Sequence, residues 1–223
     1  MDVNRILKRM RTEGKLSYKA KGDLGEQAVL SICIERQRKN GGLLYSSYKY
    51  PYQHNSTGQT AGGNIVLVDG KFTDVTKDSY EDEIDILYIT NYRIFVIEVK
   101  SYKAKIDIYD HWFKKNGSNV DKSPITQTEK HCRHLYQAIW EYIPDGDPKY
   151  IVPIVVFVDK CTINDERSEE MRKYIPVCIL NNFKETINLY NMPLRYNLDL
   201  NSIKKKLEQL KVSVKGDYNA WFI

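Results

Sequence analysis

From Glu83 to Tyr102 the chain reads EIDILYITNYRIFVIEVKSY, two apolar runs joined at Thr90-Asn91-Tyr92. Their length and β-branched and aromatic content predict two antiparallel strands, 83–89 and 92–102. Upstream, Leu24, Ala28, Val29, Ile32 and Cys33 recur at helical spacing, which predicts a helix from Asp23 to about Lys39 that stops at Gly41-Gly42. LLYSSYKYPY, residues 43–52, reads as a strand. Downstream, KIDIYDHWFKKNG carries a polar hairpin pattern. Ser123-Pro124 then supplies an N-cap and first helical residue. Cys132, Leu135, Ile139 and Tyr142 carry that helix to about Ile143. YIVPIVVFV, residues 150–158, is apolar on both faces and predicts a buried parallel strand. A short strand at Val177 to Leu180 and a lysine-rich amphipathic helix from Leu200 to Leu210 follow.

The order is helix, three antiparallel strands, helix, strand. It predicts an α/β fold with a central mixed β-sheet flanked by helices. Residues 53–80 are polar and glycine-rich and hold NIVLVDGKFTDV, an accessory β-hairpin turning at Asp69-Gly70 that we read as an inserted flap. Residues 1–21 read as a basic N-terminal helix and tether, 22–180 as the core, and 181–223 as a C-terminal helical extension packed on it.

At 223 residues the chain can bury one sizeable core, and its 42% hydrophobic and 28% charged content is that of a soluble globular protein. No apolar run approaches the ~18 residues of a membrane span. The N-terminus has charge where a signal peptide would be apolar. A cytoplasmic protein without a membrane partner is the expectation. Cys33, Cys132, Cys161 and Cys178 are scattered without a CxxC pair, as expected of reduced thiols. A net charge of +5 and a pI near 8.8 permit a polyanionic partner without requiring one. Basic clusters at Arg5 to Arg11 and Lys204 to Lys206 read equally well as solvated helix faces.

Charge inside the most strand-like segment changes the picture. An ionised side chain removed from water costs several kcal/mol unless it is paired or holds a metal. Acid-x-Lys occurs four times, but three instances have Gly or Pro in the middle and read as turns. Only Glu98-Val99-Lys100 lies on a predicted strand, where residues two apart share a face. Asp85 lies on the preceding strand, in a register that can bring it beside Glu98. Two oxygen ligands from adjacent strands can hold Mg²⁺, and a neighbouring lysine can orient water or offset phosphoryl charge. The other reading is a cross-strand salt bridge on a solvated sheet.

Further motifs tip the balance. GDLGEQAV near a helix start, EIDIL, YRIFVIEVKSY, Trp112, and SPITQ opening the next helix together resemble the NERD (nuclease-related) domain of the PD-(D/E)xK phosphodiesterase superfamily, over about Gly22 to Leu180. The resemblance implies a restriction-endonuclease-like core in αβββαβ order and metal-dependent cleavage of nucleic acid. It implies a catalytic set of Glu26, Asp85, Glu98, Lys100 and Gln127. Metal would be held by Asp85, Glu98 and Glu26. Mg²⁺ is the expected cofactor, with Mn²⁺ able to substitute, and DNA the expected substrate of an endonuclease. The insertion at 53–80 is longer than the resemblance accounts for.

Several residues carry a second reading. Glu26 stands three after Asp23 and could close a capping box. Gln127 shares a helix face with His131 and His134, which read more readily as surface histidines than as ligands. Glu83 shares a face with Asp85 and is a candidate for a second metal. Tyr45, Tyr48, Tyr50 and Tyr52 could stack on bases, though at strand spacing they read as sheet packing. The alternative function is a non-catalytic nucleic-acid or protein-interaction module that retains the nuclease fold. A hydrolase of small phosphorylated substrates is disfavoured because no glycine-rich phosphate loop is present.

Overall fold

The protein is described by a computed structural model covering residues 18–52, 66–68, 71–73, 80–110, 112–120, 123–212 and 219–221. The first helix, α1, spans Tyr18–Asn40 and starts five residues before the expected Asp23. Asp23 and Glu26 are therefore interior to it, which removes the capping-box reading. The tether before Tyr18 lies outside the described residues. α1 ends at Gly41 and Gly42, whose φ values of 73° and 112° lie where only glycine is comfortable.

β1 (Leu43–Tyr52) follows, then the short strands β2 (Val66–Val68) and β3 (Lys71–Thr73), which pair antiparallel as the hairpin expectation requires. Its turn at Asp69-Gly70, and most of the 53–80 insertion, lie outside the described residues. β4 (Tyr80–Ile89) and β5 (Ile94–Lys100) form the central hairpin, the latter shorter at both ends than the sequence suggests. β6 (Lys105–Ile108), β7 (Phe113–Lys115) and β8 (Ser118–Asn119) make a small meander. α2 (Pro124–Ile139) ends four residues before the expected Ile143, and three tight 3-10 turns complete the connection.

β9 (Ile151–Phe157) is buried throughout, and β10 (Thr162–Asp165) is followed by the short helix α3 (Glu169–Tyr174). β11 (Val177–Ile179), α4 (Leu180–Tyr190), α5 (Leu200–Val212) and β12 (Asn219–Trp221) complete the chain.

One sheet organises the molecule, in the order β11-β9-β5-β4-β1-β12. β1, β4 and β5 run antiparallel, whereas β9 lies parallel to β5 and β11 parallel to β9, so the sheet is mixed. One face, including Ile86, Tyr88, Phe95 and Ile97, packs on Leu24, Ala28, Val29 and Cys33 of α1 and on Phe183 and Ile187 of α4. The other, including Leu87, Ile89, Ile94 and Val96, packs on Cys132, Leu135 and Ile139 of α2 and on Ile203, Leu207 and Leu210 of α5. The C-terminal helices thus contribute to both layers. Tyr45, Tyr48 and Tyr50 are buried in the second cluster, which places them in sheet packing and out of reach of bases.

Strict alternation fails at one point. Tyr45 and Tyr48 are three apart yet belong to the same cluster, as do Ile84 and Leu87 opposite them. The ladder pairs Ser46 with Ile86 and Tyr48 with Ile84, so Ser47 and Asp85 stand at the reversal. Ser47 adopts φ 48°, an uncommon left-handed conformation for a non-glycine residue. The β1–β4 ladder is deformed at Asp85.

β6, β7 and β8 join β10 in a separate small sheet of order β10-β6-β7-β8. Its inner residues Ile106, Ile108 and Phe113 pack on Val155 and Phe157 of β9 and Ile125 of α2. All four cysteines are free thiols, with Cys33, Cys132 and Cys178 buried. Among the described residues no helix is long and apolar enough to cross a membrane.

Candidate active site

The site forms at the end of β5, where the central sheet changes from antiparallel to parallel neighbours. Glu98 and Lys100 are paired in register with Val155 and Phe157 of β9 and project from the same side of the strand. Glu98 is only 1% exposed. Its Oε1 accepts a hydrogen bond from Lys100 Nζ, which also donates to Gln127 Oε1 at 3.3 Å. Gln127 lies in the first turn of α2, anchored by its amide to the Ser123 carbonyl at 3.0 Å. Pro124 at the helix start and the inward Ile125 fix that turn against the small sheet.

Asp85 is one step beyond the last ladder pair of β4 with β5, Ile86 with Ile97. Continuing that register by one residue sets it opposite Glu98. Its Oδ2 accepts a hydrogen bond from the Val99 amide at 2.8 Å, so the carboxylate occupies a donor on the residue between Glu98 and Lys100. The strand deformation at Ser47 and the Val99 bond together fix this half-buried carboxyl beside the other two groups.

His131 comes one helical turn after Gln127 and is buried. Its Nδ1 is 3.7 Å from Glu98 Oε2, and its carbonyl accepts the Tyr50 hydroxyl at 3.1 Å. α2 turns His131 inward, not to the surface expected from its sequence. Its spacing of four from Gln127 was the available signal. His134 is buried further along α2, again contrary to a surface reading. Glu83 is exposed, and Lys49 Nζ lies 3.6 Å from its carboxylate.

The electrostatics are those of too many carboxylates for one ammonium. Burial, then the charge of Asp85, pushes Glu98 up to about 8, even against the lowering effect of Lys100. Burial also raises Asp85, opposed by the Val99 hydrogen bond and Lys100. Glu26, half-buried on α1, is pushed up to about 7 by burial and by the charges of Asp85, Asp23 and Glu83. Lys100 moves the other way in effect. Burial presses its pKa down, but Glu98 and Asp85 outweigh this and the ammonium is held charged. Glu26 thus shares an electrostatic neighbourhood with Asp85, Glu98 and Lys100 although it comes from the opposite layer.

Two observations bear on a metal. Glu98 Oε2 is buried and, among the described residues, accepts no hydrogen bond, the kind of oxygen that a bound ion satisfies. Among the described residues no three His, Cys, Asp or Glu side chains stand together as a ready-made cage. The donors at hand are two hard carboxylates with a third in electrostatic reach. That set suits Mg²⁺, which binds through one or two carboxylates and keeps water and phosphate oxygens in its remaining positions.

No curated protein and no solved structure matches the chain. A sequence profile described as "NERD: Nuclease-related domain" matches residues 21–158. That span runs from α1 through β9 and so contains every residue of the cluster, together with the helix, the antiparallel strands and the parallel strand that carry it. With more than half of its length matched, the chain belongs to the nuclease-related domain family.

Proposed function

We propose that the protein is a cytoplasmic, metal-dependent endonuclease that hydrolyses phosphodiester bonds of DNA. One observation carries the reading: a buried Glu98 has one oxygen on Lys100 and the other without a hydrogen bond, next to a second carboxylate held in place by the Val99 amide. Two carboxylates that repel each other are costly to keep together without a counter-charge beyond one lysine. Asp85 and Glu98 would hold Mg²⁺ or Mn²⁺, with Glu26 completing the acidic set. A divalent cation supplies polarisation of the phosphoryl group and acidification of the attacking water.

The chain's own residues supply position and charge. Glu98 Oε1 and Gln127 Oε1 aim the Lys100 ammonium, fixing it where negative charge grows on the scissile phosphate during in-line attack and departure of the 3′ oxygen. Asp85 and Glu98 ride on paired strands, which gives the rigidity that such alignment needs. Burial and the charge of Asp85 push Glu26 up to about 7 in the metal-free protein, a repulsion that a bound cation would relieve.

The reading is tested by incubating purified protein with supercoiled plasmid, linear duplex, single-stranded DNA and RNA, each with Mg²⁺, Mn²⁺ or EDTA. Nicking and linearisation of plasmid with either ion, abolished by EDTA, is expected. Intact substrates under every ion condition would contradict it.

A further inference from the structure

The small sheet carries a cation that the cluster above does not use. Asn116 and Gly117, at φ 51° and 81°, close a two-residue turn between β7 and β8. Lys115 stands at its edge, paired with Ser118 on β8 and Ile106 on β6. The turn is pinned in both directions. The Asn116 amide donates to the Lys105 carbonyl at 2.8 Å, and the Lys105 amide donates to Asn116 Oδ1 at 2.9 Å.

From this anchored position the Lys115 ammonium lies 4.2 Å from the centre of the Tyr102 ring. That ring is itself held against Phe113 and Phe157, at centroid distances of 6.3 and 5.9 Å. Phe157 is the register partner of Lys100, and Tyr102 follows Lys100 by two residues. The Tyr102–Lys115 pair therefore flanks the lysine end of the cluster.

Lys115 is half-buried, and among the described residues it has no carboxylate partner. A ring face compensates only partly for a desolvated ammonium. A cation held over an aromatic ring, with no counter-ion among the described residues, beside a cluster read as a phosphodiester site, has the chemistry of an oxyanion receptor.

We propose that Lys115, held over Tyr102, binds a backbone phosphate of the nucleic-acid strand, next to the phosphate that engages Lys100. The inference rests on the nuclease reading and adds a binding subsite to it. Lys115 acts on affinity for the strand, not on the reacting atoms.

The test is fluorescence anisotropy with a labelled DNA duplex in EDTA, across a salt series, for the intact protein, Lys115→Met and Lys115→Arg. Methionine keeps the stem on the ring and removes the charge; arginine keeps the charge. Lys115→Met is expected to bind several-fold more weakly, with the slope of log affinity against log salt reduced by about 0.9. It should melt like the parent and, in Mg²⁺, show a raised KM with kcat preserved. Lys115→Arg should retain affinity and slope. Unchanged affinity and slope in Lys115→Met, or an equal loss in both variants with lowered melting temperature, would overturn the subsite. Absence of DNA binding by the intact protein would instead bring down the nuclease reading, and the subsite with it.

Discussion

Gly25 lies so close to Val158 that a Cβ on it would stand 2.6 Å from Val158 Cγ2 and 3.7 Å from the Ser101 Cβ. The Val158 amide in turn donates to the Lys100 carbonyl at 3.0 Å, so this contact presses α1 onto the strand ends that carry the site. Glu26, the next residue, owes its place to that approach.

Gly25→Ala should therefore lower stability and cleavage together, although alanine is the better helix former by up to about 1 kcal/mol. Valine is β-branched and cannot simply swing aside. The double variant Gly25→Ala/Val158→Ala should recover part of both losses, a favourable coupling in a double-mutant cycle read by melting temperature and plasmid cleavage. A Gly25→Ala protein as stable and active as the parent would show that the close approach is not needed.

Asp85 has two duties that substitutions can separate. Asp85→Asn keeps an oxygen for the Val99 amide and removes the charge, whereas Asp85→Ala removes both. Calorimetric titration with Mn²⁺ should show binding lost in each, but only Asp85→Ala should also lose stability, by about 1–3 kcal/mol for the stranded donor. Full Mn²⁺ affinity in Asp85→Asn would exclude Asp85 from the metal site.

Acidity should act in an unusual direction on the metal-free protein. Glu26 and Glu98 rise from 4.5 to about 7 and about 8, chiefly through burial and then the charge of Asp85. Between 4.5 and these values the folded protein holds protons that the unfolded chain has released, so stability falls as pH rises through that window. Below 4.5 both states are protonated at these groups and their contribution is flat. Denaturant unfolding in EDTA should give a lower midpoint at pH 8 than at pH 5, and saturating Mg²⁺ should remove most of the difference. A midpoint in EDTA that rises towards pH 8 would contradict the assigned electrostatics.

The αβββαβ core could be read from the chain because its signals are local: helical spacing from Leu24 to Cys33, the double apolar run around Thr90, and the two-faced apolar strand at Ile151. Acid and lysine two apart on a strand made Glu98 and Lys100 visible in the same way, and their register with Asp85 followed from a short hairpin. What escaped the reading depends on contacts distant in sequence. β10 pairs with β6 across more than fifty residues, Thr162 with Lys105, and its polar TIND sequence has no apolar pattern to announce it. α1 begins before the expected Asp23 because Lys and Ala at 19–21 favour helix and carry it across Gly22. The pleat reversal at Ser47 and the inward turn of His131 follow from how two layers meet, which periodicity along one strand or helix does not encode.

Lys100→Ala separates a hydrolytic centre formed by Asp85, Glu98 and Lys100 from a salt bridge among the same three residues. Melting temperature, DNA binding and plasmid cleavage should be measured on one preparation in Mg²⁺. Folding and DNA binding should persist while cleavage falls by a factor on the order of 10² to 10³. A large fall in melting temperature with cleavage per folded molecule preserved would contradict the hydrolytic centre and leave the three charges as structural partners.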